Sequence, residues 1–263
     1  MAEGLRFELL GPLRALCSGV EVPLGAPRQR AVLAVLLLQE GRPMTYEALV
    51  DAVWGDRPPA HVRNLVQKYV SGLRRAFATA GGEPGAEPRL RWTGSGYLLT
   101  GADIDDLRER RALLGRALAA RDGGAARDAV TLAKQAEAMW RGEFAEGLAG
   151  PYLEGERRRW AEKRLMVLEA RLEAELELGR YHECVHELVR QVAAHPLRER
   201  LVWLLMLALY RSGQATAALL AFEEARRRIA EEMGSDPGPA LRALHERVLR
   251  QDPALLPESV LVS

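Results

Sequence analysis

Cysteine is nearly absent: Cys17 and Cys184 are the only two in 263 residues. Two thiols in so long a chain make no disulfide framework, which sets aside the small cross-linked secreted scaffolds. Lysine is almost as scarce, with Lys68, Lys134 and Lys163 among 37 basic residues, so arginine carries the positive charge. No apolar run reaches membrane-spanning length; the longest, Ala31 to Leu38, covers about two helical turns between Arg30 and Gln39. Met1 to Arg6 has no basic segment leading into an apolar one, so no secretory signal is expected and a cytoplasmic location is. A phosphate-binding loop, a Gly-rich dinucleotide fingerprint and a nucleophile elbow are all missing, so no enzyme and no cofactor are expected. Net charge is close to absent as well. The 37 basic and 36 acidic groups leave +1, a balance that at first sight argues against nucleic acid. What is present is a globular composition, 48% hydrophobic and 28% charged, long enough for one large domain or two.

The chain changes character near residue 100. Before it, elements are short and mixed. Leu5–Leu10, Leu13–Cys17 and Val20–Pro23 read as strands separated by Gly-Pro and Ser-Gly turns. A buried helix follows over Arg28–Gln39, then a short one over Tyr46–Trp54, with Thr45 as N-cap and Gly55 as stop. The next helix, Ala60–Phe77, separates its residues by face. Val62, Leu65, Val66, Tyr69, Val70, Leu73, Ala76 and Phe77 share one side; Arg63, Asn64, Gln67, Lys68, Ser71, Arg74 and Arg75 share the other. After a Gly/Pro-rich loop over 80–88, Arg89–Trp92 and Tyr97–Thr100 read as a hairpin. From Asp103 to about Gln251 only amphipathic helices are expected. Gly179 and Gly213 stand 34 residues apart, the period of a tetratricopeptide repeat, with Cys184 and Leu188 after the first and Ala218 and Phe222 after the second. Gly124, with Ala129 and Ala133, is a weaker third copy.

The polar face of the 60–77 helix has no acid. A solvated face ordinarily mixes signs to gain i,i+4 pairs. Amides and a hydroxyl between cations suit duplex DNA instead, because amides pair with adenine edges and arginine with guanine or phosphate. A helix of this kind followed by a hairpin spells a winged helix. Overall neutrality conceals it: residues 1–100 carry 12 basic and 9 acidic groups, and 101–263 carry 25 and 27.

Three runs carry a resemblance: Leu49-Val50-Asp51-Ala52-Val53-Trp54-Gly55-Asp56-Arg57-Pro58-Pro59-Ala60, Val70-Ser71-Gly72-Leu73-Arg74-Arg75-Ala76-Phe77 and Gly94-Ser95-Gly96-Tyr97-Leu98-Leu99. With His195-Pro196-Leu197-Arg198 and Gly234-Ser235-Asp236-Pro237-Gly238-Pro239 further on, the chain resembles the SARP family, the antibiotic-regulatory transcriptional activators of actinomycetes. The resemblance implies an α+β winged helix-turn-helix domain of response-regulator type over 1–101. Behind it come an all-α tetratricopeptide-like activation domain over 102–253 and a short tail over 254–263. It implies an activator of a biosynthetic gene cluster that binds direct repeats of double-stranded promoter DNA, as a dimer, and recruits RNA polymerase holoenzyme. By position, Asn64, Gln67, Ser71 and Arg75 are expected to read bases, and Arg28, Gln29, Arg63, Lys68 and Arg74 to hold phosphates. Arg91, Ser95 and Tyr97 are expected on the wing. Gly72 departs from the arginine common in the family. A tetratricopeptide-like adaptor with a protein-binding winged helix, and a repressor on the same fold, are the rival readings.

Other clusters read as structural. His182 and His186 have the i,i+4 spacing of a metal pair, but Cys184 between them holds the small-residue position of the repeat, so no metal is expected. Asp103, Asp105 and Asp106 are expected to cap a helix. Arg157–Arg159 reads as a solvated face, and the tryptophans Trp54, Trp92, Trp140, Trp160 and Trp203 as packed.

Overall fold

Alternating side chains at Phe7, Ala15 and Val22 turn one face of the first strands inward, and all three are buried. In the computed structural model, which describes residues 5–80 and 88–256, they form a three-stranded antiparallel sheet of β1 (Arg6–Glu8), β2 (Arg14–Cys17) and β3 (Val20–Glu21). The first strand is shorter than its apolar run. Leu9 and Leu10 leave the sheet because their N–H groups donate to Asp106 Oδ2 at 2.8 and 2.7 Å, and their carbonyls accept from Ala145 and Arg141 at 3.0 and 2.7 Å.

Three helices follow: α1 (Pro27–Leu37), α2 (Tyr46–Trp54) and α3 (Val62–Thr79). Residues Ala31 to Leu37 of α1 are all buried, as an apolar helix without a polar stripe requires. Thr45 caps α2, its hydroxyl accepting from Ala48 N at 3.2 Å, and Gly55 ends it at φ +61°. α3 begins two residues later than the periodicity predicts, after a turn at Ala60–His61 in which Val62 N–H donates to the Pro59 carbonyl at 3.0 Å. Its Val66, Val70, Leu73 and Phe77 are buried, each stabilising the fold by about 1.5–3 kcal/mol. The second sheet, in the order β4-β6-β5, joins the hairpin of β5 (Arg89–Trp92) and β6 (Gly96–Thr100) to β4 (Met44–Thr45). β4 is unforeseen, since two residues give no period. It needs Gly96: a Cβ there would lie 1.9 Å from the Met44 carbonyl oxygen. The loop expected over 80–88 lies, at 81–87, outside the described residues.

The remainder is helical: α4 (Asp105–Asp122), α5 (Ala126–Ala138), α6 (Pro151–Glu177), α7 (Tyr181–Ala194), α8 (Glu199–Arg211), α9 (Ala215–Met233), α10 (Pro239–Leu249) and a 3₁₀ turn, Pro253–Leu255. The three repeat glycines make the same turn. Gly124, Gly179 and Gly213 sit at φ +78°, +80° and +80°, and the residue after each donates to the carbonyl five positions back. Cys184, Leu188, Ala218 and Phe222 are buried as the repeat requires, while His182 and His186 face solvent. The expected tail begins too early. Ala254 and Leu255 belong to the 3₁₀ turn, and the Leu255 carbonyl accepts from Arg211 Nε at 2.8 Å. Residues 257–263 lie outside the described residues.

Packing does not follow the change in sequence character near residue 100. One compact unit contains residues 1–119 and 132–164, and the other 120–131 and 165–263. Within the first, the 141–149 segment belongs to the winged-helix core. It pairs with residues 9–11, and Phe144, Ala145 and Leu148 join Phe7, Leu33 and Leu49 in one cluster. The second unit is cored by α8, every residue of which from Leu204 to Tyr210 is buried. Its buried Arg171 donates to Glu175 at 2.6 Å and to Glu187.

Candidate nucleic-acid interface

The apolar stripe of α3 fixes which side chains are left outside. Arg63, Asn64, Gln67, Lys68, Ser71, Arg74 and Arg75 are all exposed, as the periodicity predicts. The hairpin adds the exposed Arg89 and Arg91. Between Asp56 and Asp103 the described residues hold seven basic side chains and no carboxylate. Charge of one sign without neutralising partners favours a polyanion and stays costly to gather otherwise.

Several of these groups are held in place. Arg63 lies over the Tyr46 ring, 5.4 Å from its centroid. Arg74 donates from Nε to the Leu90 carbonyl at 2.8 Å, which ties α3 to the hairpin. Between the two elements is a cleft of about 480 Å³, lined by Tyr46, Arg63, Gln67, Val70, Ser71, Arg74, Trp92 and Tyr97. The wing turn is closed by Thr93 N–H donating to the Gly96 carbonyl at 2.9 Å, and the Ser95 carbonyl accepts from Tyr46 N–H at 2.9 Å.

The structure brings together the residues on α3 with Arg91 and Ser95, which are exposed on the hairpin. Tyr97 differs. It is 6% exposed and forms the floor of the cleft rather than an outward wing contact. Burial pushes its phenol above the ordinary value, an effect that Arg74 and Arg63 partly offset. Arg28 and Gln29 are also placed otherwise than expected. Arg28 donates to the Val53 carbonyl at 2.8 Å and the Ala149 carbonyl at 3.3 Å, and Gln29 to the Leu24 carbonyl at 3.0 Å. Both side chains are half-buried and spend donors on carbonyls of the chain itself. Gly72 has a local reason: a Cβ there would meet the Gln29 amide at 2.6 Å, so arginine at 72 would displace it.

Trp92 and Tyr46 also line the cleft, though neither charge nor periodicity marks them in the sequence. Strand alternation puts Trp92 on the side of buried Leu90, yet it is 50% exposed, because β5 ends there beyond the core. Trp54, Trp140, Trp160 and Trp203 are half-buried, as packed residues. Of the arginine run, Arg158 and Arg159 are exposed, whereas Arg157 donates to the Phe144 and Leu148 carbonyls at 3.2 and 2.6 Å. Asp106 lies in the first turn of α4 but is buried, serving the Leu9 and Leu10 amides.

Comparison with known proteins gives the geometry a family. Residues 20–99 match the family described as "Transcriptional regulatory protein, C terminal", and 105–249 match "Bacterial transcriptional activator domain". The chain is 44% identical to the regulatory protein AfsR of Streptomyces coelicolor, across 95% of this chain and 25% of AfsR. It is 36% identical to the regulatory protein DnrI of Streptomyces peucetius, across 95% of this chain and 94% of DnrI. A solved structure of Mycobacterium tuberculosis EmbR in complex with a low-affinity phosphopeptide superposes with a TM-score of 0.84 at 35% identity, across 95% of this chain and 66% of EmbR. The chain thus spans a quarter of AfsR's length but nearly all of DnrI's. Among the described residues no helix is long and apolar enough to cross a membrane. With both domain matches in order along one chain, and DnrI matched almost end to end, this protein belongs to the SARP family of transcriptional regulators.

Proposed function

We propose that the chain is a sequence-specific DNA-binding activator that lays α3 in the major groove and sets the β5–β6 hairpin against the backbone. The observation that carries this is the exposed face of α3, where Asn64, Gln67 and Ser71 alternate with cations and no carboxylate intervenes. Asn64, Gln67, Ser71 and Arg75 read base edges, and Arg63, Lys68, Arg74 and Arg91 hold phosphates. Arg74 does so from a guanidinium anchored on Leu90, and Ser95 presents the tip of the wing. Arg28 and Gln29 support the core and are no part of the contact set. The sites are direct repeats near promoters of biosynthetic genes, and the helical domain supplies contacts to a second protomer and to RNA polymerase.

The test is a footprint on the DNA flanking the chain's own gene, followed by titration at several salt concentrations. Lys68→Ala is expected to weaken binding on every sequence and to lower the salt slope by about one. Gln67→Ala is expected to relax preference at one base pair by about 1–3 kcal/mol. An unchanged salt slope in the first variant, with uniform loss across sequences in the second, refutes the assignment.

A further inference from the structure

We infer that the cleft between α3 and the hairpin seats one phosphodiester of a DNA strand with its adjoining deoxyribose, and that Trp92 is the side chain that packs on the sugar. The inference rests on the DNA-binding reading and adds to it a contact that no base-reading residue supplies.

The cleft offers two kinds of surface. Arg63 and Arg74 provide positive charge with no carboxylate lining it, beside the base-reading Gln67 and Ser71. The Tyr46 hydroxyl, buried on the same wall, has no hydrogen-bond partner among the described residues. Opposite them stands the indole of Trp92, half in water, its ring set edge-on to Tyr97 with centroids 5.1 Å apart. That edge contact and the cross-strand pairing of Trp92 with Tyr97 fix where the ring stands. A rigid, half-exposed indole facing cations fits a ligand in which an anion and an apolar ring adjoin, and the sugar–phosphate backbone is such a ligand.

The experiment titrates the full chain with a fluorescent duplex of about 20 base pairs, at several salt concentrations. Trp92→Ala is expected to weaken binding roughly tenfold with the salt slope unchanged, since no charge is removed, and Trp92→Phe to recover most of the loss. Because Ala at this position can loosen the hairpin, the second readout is intrinsic emission. The difference between the native chain and Trp92→Phe is expected to change when duplex is added. If Trp92→Ala binds like the native chain, or if the difference emission ignores the duplex while Lys68→Ala still lowers the salt slope, the seat is refuted and DNA binding stands. If the native chain shows no salt-dependent binding to duplex, the reading beneath it falls as well.

Discussion

Asp106 and Cys184 show how burial sets the chemistry of single groups. Burial holds the Asp106 carboxyl above its ordinary value, against the lowering by the Leu10 and Leu9 amides and by Arg141, with Glu8 adding to the rise. A raised acid pKa means that the folded chain binds this proton more tightly than the unfolded chain does. The stabilisation is therefore complete below the ordinary carboxylate value, near pH 4, and is lost as pH climbs through the folded value. Asp106→Asn removes that dependence while keeping an acceptor. Denaturant titrations from pH 4 to 7 should show native stability falling relative to Asn as pH rises. Asp106→Ala should cost a further 1–3 kcal/mol or so, because two buried amides lose their acceptor. At Cys184, burial and the nearby Glu175 push the thiol up to about 12. Iodoacetamide at pH 8 should leave Cys184 unmodified in the native chain and alkylate it only after denaturation, as read by peptide mass spectrometry. Native labelling at that site would refute its burial.

At the scale of elements, helices were more legible than sheets. Thr45, Gly55 and the faces of α3 announce themselves because caps and 3.6-residue periods are local. β4 and the early end of β1 were not legible. Both are decided by groups far along the chain, Gly96 in one case and Asp106 with residues 141–145 in the other. The exposed polar set on α3 was readable for the reason its helix was. The commitments of Arg28, Gln29 and Tyr97 were not, since a sequence shows which residues are basic or aromatic but not what has already engaged them. The helical turns make a sharper prediction. Gly213 has φ +80°, so Gly213→Ala should destabilise by about 1–2 kcal/mol. Gly155 lies inside α6, and a Cβ added there would meet no neighbouring heavy atom within 4 Å. Gly155→Ala should instead stabilise by up to about 1 kcal/mol. Thermal melts of the two variants should move in opposite directions.

For the molecule as a whole, the folding unit around α3 is larger than the winged helix. Residues 9–11 owe their hydrogen bonds to 106 and 141–146, and Arg28 owes one to Ala149. A fragment ending at residue 101 strands those donors and acceptors and removes Phe144, Ala145 and Leu148 from the cluster that holds Phe7, Leu33 and Leu49. It should unfold with a shallower, earlier transition than a fragment ending at 164, in urea followed by circular dichroism. Equal midpoints and slopes would show that the 141–149 segment contributes nothing to that core.

The Arg28 bridge between the Val53 and Ala149 carbonyls also bears on grafting. A chimera that imports a relative's first hundred residues inherits a foreign partner for 141–149, and its loss of activity would report a mismatched joint rather than a wrong operator. Exchanging only the exposed positions of α3 leaves that joint native. Specificity in this scaffold is thus best transplanted as a handful of surface side chains, with the domain around them left uncut.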